Sequence, residues 1–201
     1  MSQFINVEVK IEGTTPLLYH CFRKEVLALG RKAKNGTKGN DPSEWKSTYL
    51  VTGEGQFYIE GSYIFSSLRD AARLTKEGRS NYQKNLVSTL QVLDQEILID
   101  RYMPNDEITT NKEKNVYLDV RSVINPGTRG RNLRYRVALN TGWKATFRIV
   151  WDQSIIAPAI MEAICHDSGA FSGLADGRAI GFGRFKVLEF KELENAQKKT
   201  S

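Results

Sequence analysis

Ile5, Val7, Val9 and Ile11 alternate with Phe4, Asn6, Glu8 and Lys10, a two-residue period that predicts a strand with one buried face. Residues 56–60 (QFYIE) read as a short strand that leads through Gly61 and Ser62 into a helical stretch over 63–74. There Ile64, Phe65, Leu68, Ala71 and Ala72 recur on one helix face, Arg69 and Arg73 share the other, and Ser62 is the expected N-cap. Over 134–140, Tyr135, Val137 and Leu139 alternate with Arg134, Arg136 and Ala138; over 144–151, Ala145, Phe147, Ile149 and Trp151 alternate with Lys144, Thr146, Arg148 and Val150. Turn residues 140–143 (NTGW) lie between them, so the pattern predicts a hairpin. A second helix follows over 158–166, with Pro158 in its first turn and Ile160, Met161, Ile164 and Cys165 toward the core. A last strand occupies 185–190.

Strand, helix, hairpin, helix, strand is the order of an α+β ferredoxin-like (RRM-like, βαββαβ) core, with two helices on one face of an antiparallel sheet and the other face open. The rest reads as long insertions. Residues 23–40 hold Arg23, Lys24, Arg31, Lys32, Lys34 and Lys38 against Glu25 and end in a glycine-rich run, so a basic loop is expected within an insertion of about 23–52. A second insertion, about 80–130, mixes helical (Leu86, Val87, Leu90) and strand (Ile97, Ile99) signals with a charged loop over 105–114. The tail, 191–201, is charged.

At 201 residues, with 40% apolar and 26% charged positions, the chain suits one folded domain and excludes a disordered or collagen-like polymer. No run approaches the length of a membrane span, and two distant cysteines suggest no disulfide framework, so a cytoplasmic protein is expected. The net charge of +6 is modest, but its distribution is not even: Arg121, Arg129, Arg131, Arg134, Arg136, Lys144 and Arg148 fall between 121 and 150, where there is no aspartate or glutamate. On the expected hairpin, Arg134, Arg136, Lys144 and Arg148 share a face. Like charges across strands repel, and guanidinium forks match phosphate oxygens, so single-stranded RNA or DNA is the expected partner. Acids of the 105–119 segment are the competing source of neutralisation.

The run SGAFSGLADGRAIGFGRF over 168–185 places five glycines between Gly169 and Gly183. It follows a helix and enters a strand, the reverse of a dinucleotide-binding turn, and contains no P-loop lysine, so no nucleotide cofactor is expected. It permits a loop lying close to a ligand backbone, with Arg178 and Arg184 supplying charge.

In Gly177, Gly181, Gly183, Arg184 and Phe185 the chain resembles the RAMP superfamily of CRISPR systems, whose ferredoxin-like domains end in a glycine-rich loop before the last strand. A second similarity is YIEGSYIFSSLR over 58–69, which looks like a strand-to-helix step of effector-complex backbone subunits, with Glu60 in place of proline and Ser66 and Ser67 in place of a basic residue and glycine. The resemblance also extends to stand-alone relatives from mobile elements. It implies guide RNA held along a palm, inserted loops acting as thumb and fingers, and self-association along the strand or with other RAMP-like subunits. On that analogy the basic loop and the 105–130 segment clasp RNA, Arg69 touches phosphate, and Trp45, Tyr49, Tyr135 and Phe182 stack bases.

Some RAMP relatives cleave RNA without metal through a histidine. His20, just after the first strand, is the candidate for that alternative, with Tyr19, Arg23 or Lys24 assisting. His20 with Cys21 and Cys165 with His166 formally offer a zinc set, but adjacent side chains diverge and the spacing is not that of a zinc site, so no metal or cofactor is expected.

Overall fold

The computed structural model describes residues 3–21, 42–124, 127 and 129–193; the basic stretch over 23–40 and most of the charged tail lie outside them. In chain order the strands are β1 (Phe4–Gly13), β2 (Leu17–Leu18), β3 (Gln56–Glu60), β4 (Lys76–Glu77), β5 (Ser80–Asn81), β6 (Gln91–Val92), β7 (Glu96–Tyr102), β8 (Val116–Ile124), β9 (Arg131–Leu139), β10 (Lys144–Asp152) and β11 (Phe185–Leu193). The helices are α1 (Gly61–Ala72), α2 (Gln83–Thr89) and α3 (Pro158–Asp167), the last continuing into a wide turn, Ser168–Ser172.

The protein is α+β, with antiparallel strand pairing throughout the described sheets. The main sheet runs β11-β1-β10-β7-β3, with β6 also on β10, and a second sheet runs β2-β9-β8. Alternation built β1 as expected: Ile5, Val7, Val9 and Ile11 are buried, and across from them Ala145, Phe147, Ile149 and Trp151 point the same way. The α1 residues Ile64, Leu68, Ala71 and Ala72 and the α3 residues Met161, Ile164 and Cys165 close over this layer. Each large aliphatic or aromatic side chain taken out of water contributes roughly 1.5–3 kcal/mol.

The predicted hairpin over 134–151 does not form. β9 pairs with β8 and β2, whereas β10 lies beside β1, β6 and β7. The turn between them is fastened elsewhere: Gly13 donates to the Trp143 carbonyl at 2.7 Å, Gly142 donates to the Gly13 carbonyl at 2.8 Å, and Trp143 Nε1 donates to the Thr15 carbonyl at 3.0 Å. These bonds and the fully buried Trp143 ring carry β10 onto β1, while Asn140 donates to the Asn115 carbonyl at 2.8 Å and keeps β9 on β8. Turn chemistry is local and does not choose a sheet.

The main-sheet strand that the pattern lacked comes from inside the second insertion, at β6 and β7. The first helix begins two residues early, so Ser62 lies within it and Glu60 occupies the N-cap position without a side-chain cap bond. Gly61 is required there because a Cβ would run into the Asp94 carbonyl; that close approach seats the step before α1 against the bend between β6 and β7.

Candidate nucleic-acid interface

The glycine-rich run folds into a loop lying along β2. Asp176 donates its N–H to the Leu18 carbonyl at 3.0 Å, Gly183 donates to the Pro16 carbonyl at 2.8 Å, and Arg184 donates its N–H to Thr15 Oγ1 at 2.8 Å. Gly173, Gly177, Gly181 and Gly183 all have positive φ. At Gly183 the requirement is doubled, since a Cβ would also overlap the Leu174 carbonyl. The loop therefore packs against one face of the β2-β9-β8 sheet, where Phe182 covers Leu18, Tyr117 and Ala138.

Paired strand positions share a face, so Arg121, Arg134 and Arg136 stand together beneath this loop with Asp119. They are not the acid-free surface that the linear sequence implied. Arg121 makes two hydrogen bonds to Asp119, at 2.6 and 2.8 Å, and its guanidinium lies 4.4 Å from the Phe182 ring centre. Arg136 is 8% exposed and its Nε lies 2.7 Å from Asp176 Oδ2. Arg134 Nη1 lies 3.4 Å from His20 Nε2. Arg129, with φ +54°, and Arg131 lie exposed at the distal end of the β8–β9 ribbon, where Leu133 and Ile124 are exposed as well. The carboxylates Asp94, Asp119 and Asp176 come from three different segments. Only Asp119 carried a signal in sequence, as a residue two positions from Arg121 on one strand face.

Lys144 and Arg148 lie apart from these arginines, on the open face of the main sheet, and this face does not have the charge of a phosphate-binding palm. Arg148 grips Asp94 at 2.6 and 3.2 Å, Glu12 lies between Lys186 at 2.9 Å and Lys144 at 3.8 Å, and Lys10 pairs with Glu189 at 2.6 Å. Lys186 beside Glu12 and Lys10 beside Glu189 hold both glutamates below their ordinary value of 4.5, and the Ser154 hydroxyl with the Gln3 N–H holds Asp152 below 3.8. Each group thus binds a proton less readily folded than unfolded. Its stabilisation is complete above the ordinary carboxylate value and is lost as pH falls through the lower folded value. The urea midpoint should therefore stay level from about pH 7 to about pH 5 and fall below that, with a shallower fall in Glu12→Gln/Glu189→Gln; equal slopes in the two proteins would exclude these ion pairs as the cause.

A different cluster keeps an excess of positive charge. On α1, Arg69 bonds Asp70 Oδ1 at 2.9 and 3.2 Å, while Arg178 reaches over from the glycine loop to Asp70 Oδ2 at 3.2 Å. Arg184 joins Arg178 through its carbonyl at 3.3 Å and has no carboxylate partner among the described residues. Its Nη1 is buried without a hydrogen bond. Burial first, and then the charge of Arg178, lowers the Arg184 pKa. Two guanidinium groups therefore share one aspartate and a third has none, 3 − 1 = +2, a local imbalance that a phosphate oxygen would relieve.

Three of the four expected stacking residues are engaged. Trp45 and Tyr49 stack on each other at 6.2 Å and pack against the core, Tyr135 is half-buried on β9, and Phe182 carries Arg121 over its ring. His20 opens onto a cavity of about 130 Å³ lined also by Tyr19, Tyr63, Ala175 and Asp176. Because arginine can only donate, His20 Nε2 is the acceptor of the Arg134 hydrogen bond, which engages the lone pair that proton abstraction would need. Among the described residues, no group of three or more His, Cys, Asp or Glu could hold a metal ion. Cys165 is buried and its thiol pKa is pushed up, and neighbouring His166 is exposed. No helix among the described residues is long and apolar enough to cross a membrane.

No protein-family model matches this chain, and no curated protein matches it in sequence. Among solved structures it is similar to a chain of the "Type III-B Cmr-beta bound to cognate target RNA", at a TM-score of 0.50 and 14% identity. The likeness covers 96% of this chain and 61% of that one, so this chain spans about three fifths of its neighbour's length. At that identity the likeness is one of fold.

Proposed function

We propose that this chain binds single-stranded nucleic acid, RNA in the first place, as a RAMP-like backbone subunit of a CRISPR-type ribonucleoprotein in the cytoplasm. The observation that carries the reading is the excess of guanidinium groups around Asp70 on the glycine loop and α1, with Arg184 partly buried and lacking a carboxylate among the described residues. Three further observations support it. The order β11-β1-β10-β7 is compatible with a ferredoxin-like sheet in which β6 and β7 supply the second strand. The β8–β9 ribbon is inserted between the second and third of these strands and ends in exposed Arg129 and Arg131, a place and charge that suit a thumb closing on RNA. The fold neighbour belongs to a complex described as bound to target RNA. Self-association along the strand, or assembly with other RAMP-like subunits, is part of the same proposal.

Counterion release gives the test. For single strands, log affinity falls with log salt at about −0.7 per phosphate neutralised, so about four such phosphates predict a roughly 50-fold loss between about 50 and about 200 mM salt. Filter binding of a labelled single-stranded RNA measures it. A flat response, or no binding at the lowest salt, overturns the proposal; parallel titration of DNA of the same sequence separates the two nucleic acids.

A further inference from the structure

The cavity beside His20 has features that phosphate binding leaves unused. Its lining combines aromatic and small walls, Tyr63 and Ala175, with one carboxylate, Asp176. Ala175 holds φ +58°, the left-handed region that a non-glycine residue seldom adopts, while its neighbours are tied to Gly183 and Leu18 by backbone bonds. The Asp176 side chain is 35% exposed, yet its Oδ2, next to Arg136, is wholly buried. The exposure therefore belongs to the rest of the side chain, and Oδ1 is the carboxylate oxygen that is not held against Arg136. Burial keeps Tyr63 protonated well beyond neutral pH, with Cys21 adding to the effect, so the wall also carries a neutral hydroxyl. Room of about 130 Å³ fits a single heteroaromatic ring system rather than a chain segment.

A carboxylate acceptor selects by donors. Guanine offers two adjacent ones on a single edge, N1–H and the N2 amino group; cytosine and adenine offer one amino group beside a ring acceptor, and uracil offers one N–H flanked by carbonyls that a carboxylate repels. We propose that the cavity between Tyr63, Ala175 and Asp176 takes one unstacked guanine of the bound strand, its N1–H and N2 amino group both donating to the single oxygen Asp176 Oδ1. The inference rests on the nucleic-acid reading and adds base preference to it. Arg134, beside His20, places positive charge next to the cavity for an adjoining phosphate. Extruding a base from an already single strand is the least costly form of such recognition.

The test compares four fluorescein-labelled 15-nucleotide RNAs by anisotropy at one salt concentration: all-uridine, and the same strand with a central G, C or A. Wild type should bind the central-G strand about tenfold more tightly than all-uridine. Asp176→Asn should bring the two within about twofold of each other. Tyr63→Phe, which keeps the wall, should retain most of the preference. Equal wild-type affinity for all four strands overturns the guanine pocket and leaves the nucleic-acid reading standing, whereas binding to none overturns both. The wild-type comparison decides the matter even if the Asp176 variant does not fold.

Discussion

Removing both loop guanidinium groups, in Arg178→Ala/Arg184→Ala, will weaken single-stranded RNA binding about 100-fold, at roughly tenfold for each charge-assisted bond to phosphate that is removed. The effect is large because these side chains are not each matched by a carboxylate: Arg69 and Arg178 share Asp70, and Arg184 has none among the described residues. The salt slope should fall along with the affinity, by about 1.4 for two phosphates on a single strand. The control is Lys144→Ala/Lys186→Ala on the open sheet face, which removes the same formal charge from positions that share Glu12. Filter binding of both doubles, with thermal melts to establish folding, decides the location of the site. If the lysine pair costs as much as the arginine pair, the glycine loop is not the interface.

Substituting alanine at Gly183 is expected to destabilise the protein by about 3 kcal/mol or more, which for a chain of this size lowers the melting temperature by roughly 6 °C or more. Two causes add: φ is +68°, and the new methyl group would meet the Leu174 carbonyl across the loop. Gly181 separates them. It too has positive φ, +91°, but a Cβ there would meet nothing within 4 Å, so Gly181→Ala should cost about half as much or less. Equal shifts in melting temperature would leave only the backbone cause and dismiss the packing account of Gly183. Since Gly183 donates to Pro16, and Arg184 follows it directly, loss of this fastening should also release Arg184 from its place beside Arg178.

The charge pattern shows where linear reading misleads. Between 121 and 150 there is no acid in sequence, yet Asp119, Asp176, Asp94 and Glu12 reach into that stretch from strands and loops on either side. An ion pair needs proximity in space, and an antiparallel sheet supplies neighbours that are remote in the chain: Asp94 meets Arg148 and Asp176 meets Arg136. An unneutralised arginine hairpin, as the sequence suggests it, is therefore absent among the described residues. A local excess of charge remains at Arg178 and Arg184, residues of the glycine-rich run, and at Arg69 on the helix after the 58–61 step.

What the sequence by itself determined was whatever depends on a few neighbouring residues. Alternation in β1 and β10, the apolar stripe of α1, Pro158 at the head of α3 and the glycines of the last loop follow from steric and solvation rules that act within one or two turns of chain. Only the tertiary structure decided which strands pair, because β9 and β10 present equally good edges until buried Trp143 and its bond to Thr15 draw β10 onto β1. The same holds for β7, whose Ile97 and Ile99 looked like part of an insertion and are main-sheet core, and for every arginine whose carboxylate comes from another segment. Burial and Coulomb attraction depend on distance in space, and the chain sets that distance only once it has folded.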